Sequence, residues 1–275
     1  MKIGIVGLGL IGGSLARALK FRTEHAVYGC DIAEGEVAAA LLYGAIDGEL
    51  TAEALAGCDA LLLCAYPWAA IDYLTKHAAT LRKGALVVDC GGVKRGICAR
   101  GAEVAAKHGF TFIGGHPMAG TPYAGFRASK ADLFADATML LTPDDATPIA
   151  AREVARDLFL QVGFGRVHFA TAIEHDAKIA YTSQLAHIVS NAYVNSPTRD
   201  NCRDMAAGSF RDMTRVAKLN TPMWAELFLA NADFLGEELE GLIERLQAYR
   251  RALGAGDRAG LEKLMGAGNA AADRG

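Results

Sequence analysis

A histidine held between paired glycines and a proline, in Gly114-Gly115-His116-Pro117-Met118-Ala119-Gly120, is the residue of this chain best suited to moving a proton. Imidazole titrates near neutrality, so it can take the proton of a hydroxyl while hydride leaves the same carbon. The same residue would also serve as a turn cap, and spacing alone does not choose between the two. A second group of chemistry-bearing residues lies on a stretch with helical spacing: Ser183, Gln184, His187 and Asn191 form a polar, uncharged line beside an apolar band of Ala177, Tyr181, Leu185, Ile188 and Ala192. Solvated helix faces are normally filled by lysine, arginine and glutamate, so an uncharged line is compatible with the wall of a cleft. A third group, Arg211, Arg215 and Lys218, is spaced to share one helical face. Such cations repel unless anions are near. Asp212 could neutralise part of this charge, and a substrate carboxylate, gripped by a guanidinium through two hydrogen bonds, could neutralise more. A solvated basic face is the competing explanation.

The elements that would position these groups begin at the N-terminus. Residues 2–6 read as a buried strand, Gly7-Leu8-Gly9-Leu10-Ile11-Gly12 as a turn, 13–19 as a helix, and 27–31 as a second strand ending in Asp31. This is G-x-G-x-x-G in a strand–turn–helix context with an acid placed after the next strand. Gly7 permits the tight turn, Gly9 leaves room for a pyrophosphate, and Gly12 lets helix and strand approach. The helix N-terminus supplies unpaired N–H groups and a positive dipole end. Asp31 would accept from the ribose 2′-hydroxyl of NAD and repel the 2′-phosphate of NADP.

Further strands are expected at 59–65, 85–89, 110–113, 138–141 and 165–169, with helices at 68–81, 94–108 and 147–162. That alternation predicts a doubly wound α/β sheet of Rossmann type, mainly parallel, covered on both faces and binding ligands at its strands' carboxyl ends. Near residue 170 the pattern becomes helical. One helix is expected from 171, opened by a Thr171–Glu174 capping box, to about 195, where Ser196-Pro197 stops it. A shorter helical stretch follows at 199–218. A long helix opens at Thr221-Pro222 with Thr221 as its cap, carrying Trp224, Phe228, Asn231, Leu235, Leu239, Leu242, Leu246 and Tyr249 on one stripe. That stripe packs within its own domain or against a second copy. The end of the chain, from about Gly266, is expected to be loose. The implied division is a dinucleotide-binding domain over 1–169 and an all-α substrate and dimerisation domain over 170–275.

Composition narrows the alternatives. The formal charge of −3 over 275 residues gives no global pull toward nucleic acid or anionic membranes. No uncharged apolar run is long enough to span a bilayer. The N-terminal apolar run fits a phosphate loop rather than a signal peptide. The six cysteines (30, 58, 64, 90, 98 and 202) form no C-x-x-C pair, which argues against structural zinc and a disulfide framework and fits a reducing cytoplasm.

Taken together, the 7–15 block, Gly-Gly-His-Pro-Met-Ala-Gly at 114–120, Thr182-Ser183-Gln184-Leu185-Ala186-His187, Phe210 to Ala217 and Met223-Trp224 resemble the prephenate and arogenate dehydrogenases of tyrosine biosynthesis over nearly the whole chain. The resemblance implies NAD-dependent oxidative decarboxylation of prephenate, a small dicarboxylate, to 4-hydroxyphenylpyruvate in a homodimer joined through the helical domain. It gives His116 the ring hydroxyl and Arg215 a substrate carboxylate. It puts His187, Gln184, Ser183, Arg211, Thr121 and Trp224 on the substrate side, Trp224 within reach of a neighbouring subunit's site. Leu10, Ile11, Ala65, Pro67 and Gly92 join the three glycines and Asp31 around the cofactor. No appended ligand-sensing or chorismate mutase domain is expected.

Three positions depart from the family pattern. Gly92 stands where serine is common, Gln184 where a second histidine is frequent, and Thr121-Pro122-Tyr123 where many members carry an acid. A missing acid weakens one way of holding the ammonium of arogenate, which favours prephenate. The competing readings are an arogenate dehydrogenase, a 3-hydroxyacid or 6-phosphogluconate type enzyme, and a non-catalytic NAD-binding regulator. The second of these would use a helix lysine, and Lys178 lies off the Ser183–His187 line.

Overall fold

The computed structural model describes residues 1–121 and 123–274, with the side chains of Asn201 and Arg203 left out of the description. Buried apolar runs with no alternation, such as Ile3 to Val6 and Ala60 to Leu63, make strands covered on both faces. The sheet is built from β1 (Lys2–Val6), α1 (Leu10–Arg22), β2 (Ala26–Cys30), α2 (Glu34–Leu42), β3 (Gly48–Glu49), α3 (Ala52–Ala56), β4 (Ala60–Leu63), α4 (Pro67–His77), β5 (Leu86–Asp89), α5 (Arg95–His108), β6 (Thr111–Pro117), β7 (Thr138–Thr142), α6 (Ile149–Val162) and β8 (Arg166–Phe169). Strand order is β3-β2-β1-β4-β5-β6-β7-β8. The order reverses between β1 and β4, which opens a crevice at their carboxyl ends.

One pairing departs from the parallel expectation and leaves two strands, β7 and β8, running against the other six. β6 runs parallel to β5 through Ile113, then pairs antiparallel with β7 from Gly114↔Thr142 to Pro117↔Met139. Among the described residues of the link from β6 to β7 the one helical element is a 3-10 turn at Phe126–Ala128, and none is a crossover helix that would return the chain to the parallel direction. As a result His116 lies in the strand itself, paired with Leu140, rather than in a turn after it.

The sheet faces bury two cores, one around Ile3, Ile5, Leu15, Val88 and Phe159, the other around Leu61, Leu63, Ile71, Val87 and Phe112. After β8 the chain is helical: α7 (Ala172–Ile179), a π-turn (Ala180–Leu185), α8 (Ala186–Tyr193), α9 (Gly208–Thr214), α10 (Thr221–Ala230), α11 (Ala232–Ala255) and α12 (Arg258–Ala272). Leu227 of α10 joins the second sheet core, with Met223 and Trp224 packed against it, so α10 is bound to the sheet layer. A small third core of Ala180, Leu185 and Leu235 knits α11 to the π-turn.

Several helix boundaries differ from expectation. The helix from 171 is interrupted by the π-turn. Thr171 does cap it, accepting from the Glu174 N–H at 3.1 Å, but the Glu174 carboxylate pairs with Lys178 instead of completing the box. The 199–218 stretch is two 3-10 turns and the seven-residue α9, so Lys218 lies beyond the helix that carries Arg211. Asn220, not Thr221, caps α10, accepting from the Met223 N–H at 3.3 Å. The long helix breaks at Asn231, whose φ of −128° leaves the helical region. Residues past Gly266 stay helical to Ala272.

Candidate active site

The glycine turn after β1 has the shape its sequence requires. Gly7 has φ +87°, a backbone state costly for any residue with a Cβ. A Cβ on Gly12 would stand 1.8 Å from the Gly7 carbonyl oxygen. Nothing lies within 4 Å of where a Cβ on Gly9 would be. Gly9 is also the N-cap of α1 and makes no side-chain cap, so the first N–H groups of the helix point into open space. A helix N-terminus with no side-chain cap, reached over a residue with no Cβ, suits a dinucleotide pyrophosphate.

Asp31 closes the loop from the other side. Its Oδ2 accepts from the Leu8 N–H at 2.7 Å and its Oδ1 from the Ala33 N–H at 2.9 Å. It therefore braces the glycine turn and remains partly exposed beside it. Leu10 and Ile11 begin α1 and are half-buried. Ala65 follows β4, its backbone N about 3 Å from where a Gly7 Cβ would stand, and Pro67 is buried at the first turn of α4. These positions follow the carboxyl ends of β1, β2 and β4.

Beside the crevice, at the end of β5, lies a cluster that charge patterning does not single out. Lys94 and Asp89 form a buried ion pair, 0% and 1% exposed. Asp89 also accepts from the Gly91 N–H at 2.9 Å and the Gly115 N–H at 3.1 Å, tying the end of β5 to the strand that carries His116. The backbone N–H groups of Lys94 and Arg95 donate to Asp176 of α7 at 2.8 and 2.9 Å. Asp176 sits 2.8 Å from Nδ1 of His175, and Nε2 of His175 lies 2.9 Å from Nδ1 of His116. Burial, with His175 and Lys94 nearby, pushes the His116 imidazole well below its ordinary value, and burial lowers His175 as well. Both rings are therefore neutral at neutral pH. Arg95 continues the connection to the helical layer, with a two-pronged pair to Asp233 at 2.7 and 2.6 Å and a bond to Asn231 at 2.9 Å. Among the described residues no buried side-chain polar atom lacks a partner.

His175, Asp176, Asp89, Lys94 and Asn231 are the site residues that spacing did not reveal. An adjacent His-Asp pair in the opening turns of a helix was the available signal. Asn231 reads as one more position on an apolar stripe, yet it is fully buried and its amide donates to the Asp176 carbonyl and the Gln184 Oε1 at 2.9 and 2.7 Å. Those bonds explain why the helix breaks there.

The uncharged polar line of the π-turn and α8 is differently employed than a cleft wall would be. His187 Nδ1 donates to the Val216 carbonyl at 3.0 Å, Ser190 to Met213 at 2.6 Å, and Asn191 to Ala217 at 2.9 Å. The line grips the backbone of the segment that carries Arg215. Gln184 is 1% exposed and bonded to the Leu227 carbonyl and Asn231, so it offers a substrate no surface. Ser183 is partly exposed beside it. The His187 ring lies 4.1 Å from that of Trp224, and burial with the Arg215 charge nearby lowers its imidazole. Arg211 and Arg215 are exposed, as is Thr121, whose hydroxyl bonds the Tyr123 backbone. Pro122 lies outside the described residues. At Gly92 an added Cβ would crowd Leu227 at 3.3 and 3.4 Å, so an apolar side chain occupies the space a serine would use.

Comparison with known proteins decides the family. The nucleotide-binding domain of prephenate dehydrogenase matches residues 15–168, and the prephenate dehydrogenase dimerization domain matches 171–267. The chain belongs to the prephenate dehydrogenase family. It is 33% identical over 264 residues to a cyclohexadienyl dehydrogenase of Zymomonas mobilis, covering 93% of this chain and 89% of that one. It is 30% identical over 256 residues to a prephenate dehydrogenase of Bacillus subtilis, covering 90% and 68%. Among solved structures, a prephenate dehydrogenase of Aquifex aeolicus in complex with hydroxyphenyl propionate and NAD+ superposes with a TM-score of 0.86 at 26% identity, covering 100% and 98%. The arogenate dehydrogenase of Synechocystis gives 0.83 at 26%, covering 100% and 99%. A 3-hydroxyisobutyrate dehydrogenase of Mycobacterium tuberculosis shares the fold alone, at 0.60 and 16% over 86% and 87% of the two chains.

Proposed function

We propose that this chain is an NAD-dependent prephenate dehydrogenase, converting prephenate to 4-hydroxyphenylpyruvate and carbon dioxide. The observation that carries this reading is His116. It is a neutral imidazole at the carboxyl edge of the sheet whose first strand ends in an unobstructed glycine turn, held on Nδ1 by His175.

Bound NAD supplies the hydride acceptor. The glycines at 7, 9 and 12, with Leu10 and Ile11, receive its pyrophosphate, Asp31 its adenosine ribose, and Ala65, Pro67 and Gly92 flank the remainder. His116 takes the proton of the ring hydroxyl as hydride leaves the carbon that bears it. The bond from ring to carboxylate then breaks, and its electron pair closes the aromatic ring. The resulting phenolate oxygen takes a proton back. Aromatisation makes the step downhill, so the protein's task is mainly to position and polarise. Arg215 receives a substrate carboxylate, with Arg211, Thr121, Ser183, His187 and Trp224 around it. Gln184, buried in the Asn231 network, supports this wall from behind.

We divide the chain functionally at 169/170 and read it as a homodimer. Leu229, Leu246, Leu253 and Met265 of α10 to α12 are at least half exposed, and so apolar a helical face favours cover by a second copy. A reducing, cytoplasmic setting is supported by six unbridged cysteines. No described helix is long and apolar enough to cross a membrane.

The test is NADH formation with prephenate and with arogenate, each offered NAD and NADP. Turnover of prephenate with NAD is the expected result. Turnover of arogenate alone would transfer the same chemistry to the amino-acid substrate. No turnover with any pair, alongside clear NAD binding, would leave another hydroxyacid substrate or the non-catalytic regulator. His116→Asn should cut kcat by roughly 10²–10⁴-fold with NAD binding intact.

A further inference from the structure

The contacts around Asp176 determine where the protons of two histidines sit. Asp176 accepts from the Lys94 N–H, the Arg95 N–H and the Arg95 Nε–H, at 2.8, 2.9 and 3.2 Å. With three donors and a histidine against it, the carboxyl is held below its ordinary value and is ionised. An ionised carboxylate only accepts, so the ring nitrogen of His175 that faces it, Nδ1 at 2.8 Å, carries a proton. His175 is buried and neutral, so its Nε2 carries a lone pair. That lone pair stands 2.9 Å from Nδ1 of His116. Two lone pairs do not face each other at hydrogen-bond distance, so Nδ1 of His116 is the protonated nitrogen and its Nε2 is bare.

We infer that His175, oriented by Asp176, is a positioning residue that fixes His116 as its Nδ1–H tautomer, so that the Nε2 lone pair is the one presented to the substrate hydroxyl. The inference rests on the reading of His116 as the proton acceptor. It adds what makes that histidine an acceptor at all. A neutral histidine in water favours the opposite tautomer, which would offer the hydroxyl a donor where an acceptor is needed. The chain Asp176–His175–His116 has the logic of a carboxylate that orients one imidazole, extended by a second ring. It also crosses between layers, because His175 and Asp176 lie on α7 while His116 lies on β6.

The tautomer can be read directly from the ring nitrogens of ¹⁵N-labelled protein, with the His116 signals identified by their loss in His116→Asn. Wild-type His116 should show a protonated Nδ1 and a bare, pyridine-type Nε2. His175→Leu removes the acceptor. It should move the His116 proton to Nε2 and lower kcat by about 10–100-fold with KM and NAD binding near wild type. His175→Gln, whose amide oxygen can accept from the His116 Nδ1–H, should restore both the tautomer and most of the turnover. A wild-type His116 protonated on Nε2 overturns the inference, as does a His175→Leu protein with unchanged tautomer and kcat. If His175→Leu does not fold, the wild-type and His175→Gln spectra still decide. Full turnover in His116→Asn would instead remove the reading of His116 and leave the tautomer assignment standing.

Discussion

Two of the three glycines in the first turn do opposite jobs, and alanine substitutions should separate them. A Cβ on Gly12 would sit 1.8 Å from the Gly7 carbonyl oxygen and 3.1 Å from the Cys64 Cβ. The clash is with backbone rather than with the tip of a flexible side chain, so α1 must move away from β1 and β4. Overpacking of this kind costs about 1–3 kcal/mol or more. For a chain of this size each kcal/mol lowers Tm by roughly 2–4 °C, so Gly12→Ala should melt about 2–12 °C early. Gly9→Ala meets nothing within 4 Å and its φ of −67° is open to alanine. Its expected stability cost is about 1 kcal/mol or less, that of a poorer helix cap. The new methyl instead occupies the space assigned to the pyrophosphate, and a loss of about 1.4–2.7 kcal/mol there weakens NAD binding roughly 10–100-fold. Thermal unfolding and NAD titration, run on both variants, give four numbers. A Gly9→Ala protein that binds NAD as wild type, or a Gly12→Ala protein that melts with it, would refute the account of the loop.

Asp31→Asn keeps an oxygen for the turn and removes the charge, so kcat/KM should shift from NAD toward NADP, and an unchanged ratio would count against the assignment of Asp31. Lys94→Met strands the buried Asp89 carboxylate and should cost about 3–5 kcal/mol in urea unfolding, and wild-type stability would show that the pair contributes little. Arg215→Ala should raise KM for prephenate more than it lowers kcat, with steady-state kinetics as the check. His116, His175 and His187 all have folded-state values below that of a free imidazole. As pH falls through about 6.5 the unfolded chain takes protons that the folded one refuses, so stability should decline on the acid side of that value and stay flat above it. His175→Gln should reduce that slope in denaturant titrations at several pH values.

Local sequence made the first half of the molecule readable because each element there announces itself. Uniformly apolar strands, a glycine turn with a following acid, and helices stopped by glycine at 109 and 163 leave few alternatives. His116 stood out for the same reason, its neighbours being glycine and proline. The helical half was harder. Whether a helix continues through Asn231, or holds a π-turn at 180–185, depends on hydrogen bonds to residues more than forty positions away, such as Asp176 and Leu227. The polar line at 183–191 illustrates the limit. Its lack of charge is compatible with a cleft wall, yet His187 and Asn191 bond the carbonyls of Val216 and Ala217, partners that no periodicity can name. His175 was invisible for a related cause. Its significance comes from a neighbour on β6, 59 residues earlier, while His175 itself lies on α7.

The π-turn at Ala180–Leu185 sets the rotational phase between two ends of one helix. Residues before it aim His175 at the sheet, and residues after it aim His187, Ser190 and Asn191 at the Arg215 segment. Each residue of an α-helix turns the chain by about 100°. Deleting one residue from the wide turn would let the helix close to regular geometry, yet would swing everything downstream by about that angle and point three donors away from their carbonyls. The stretch should therefore tolerate substitution at its exposed positions far better than a change of length, and a single insertion or deletion there would uncouple the two layers.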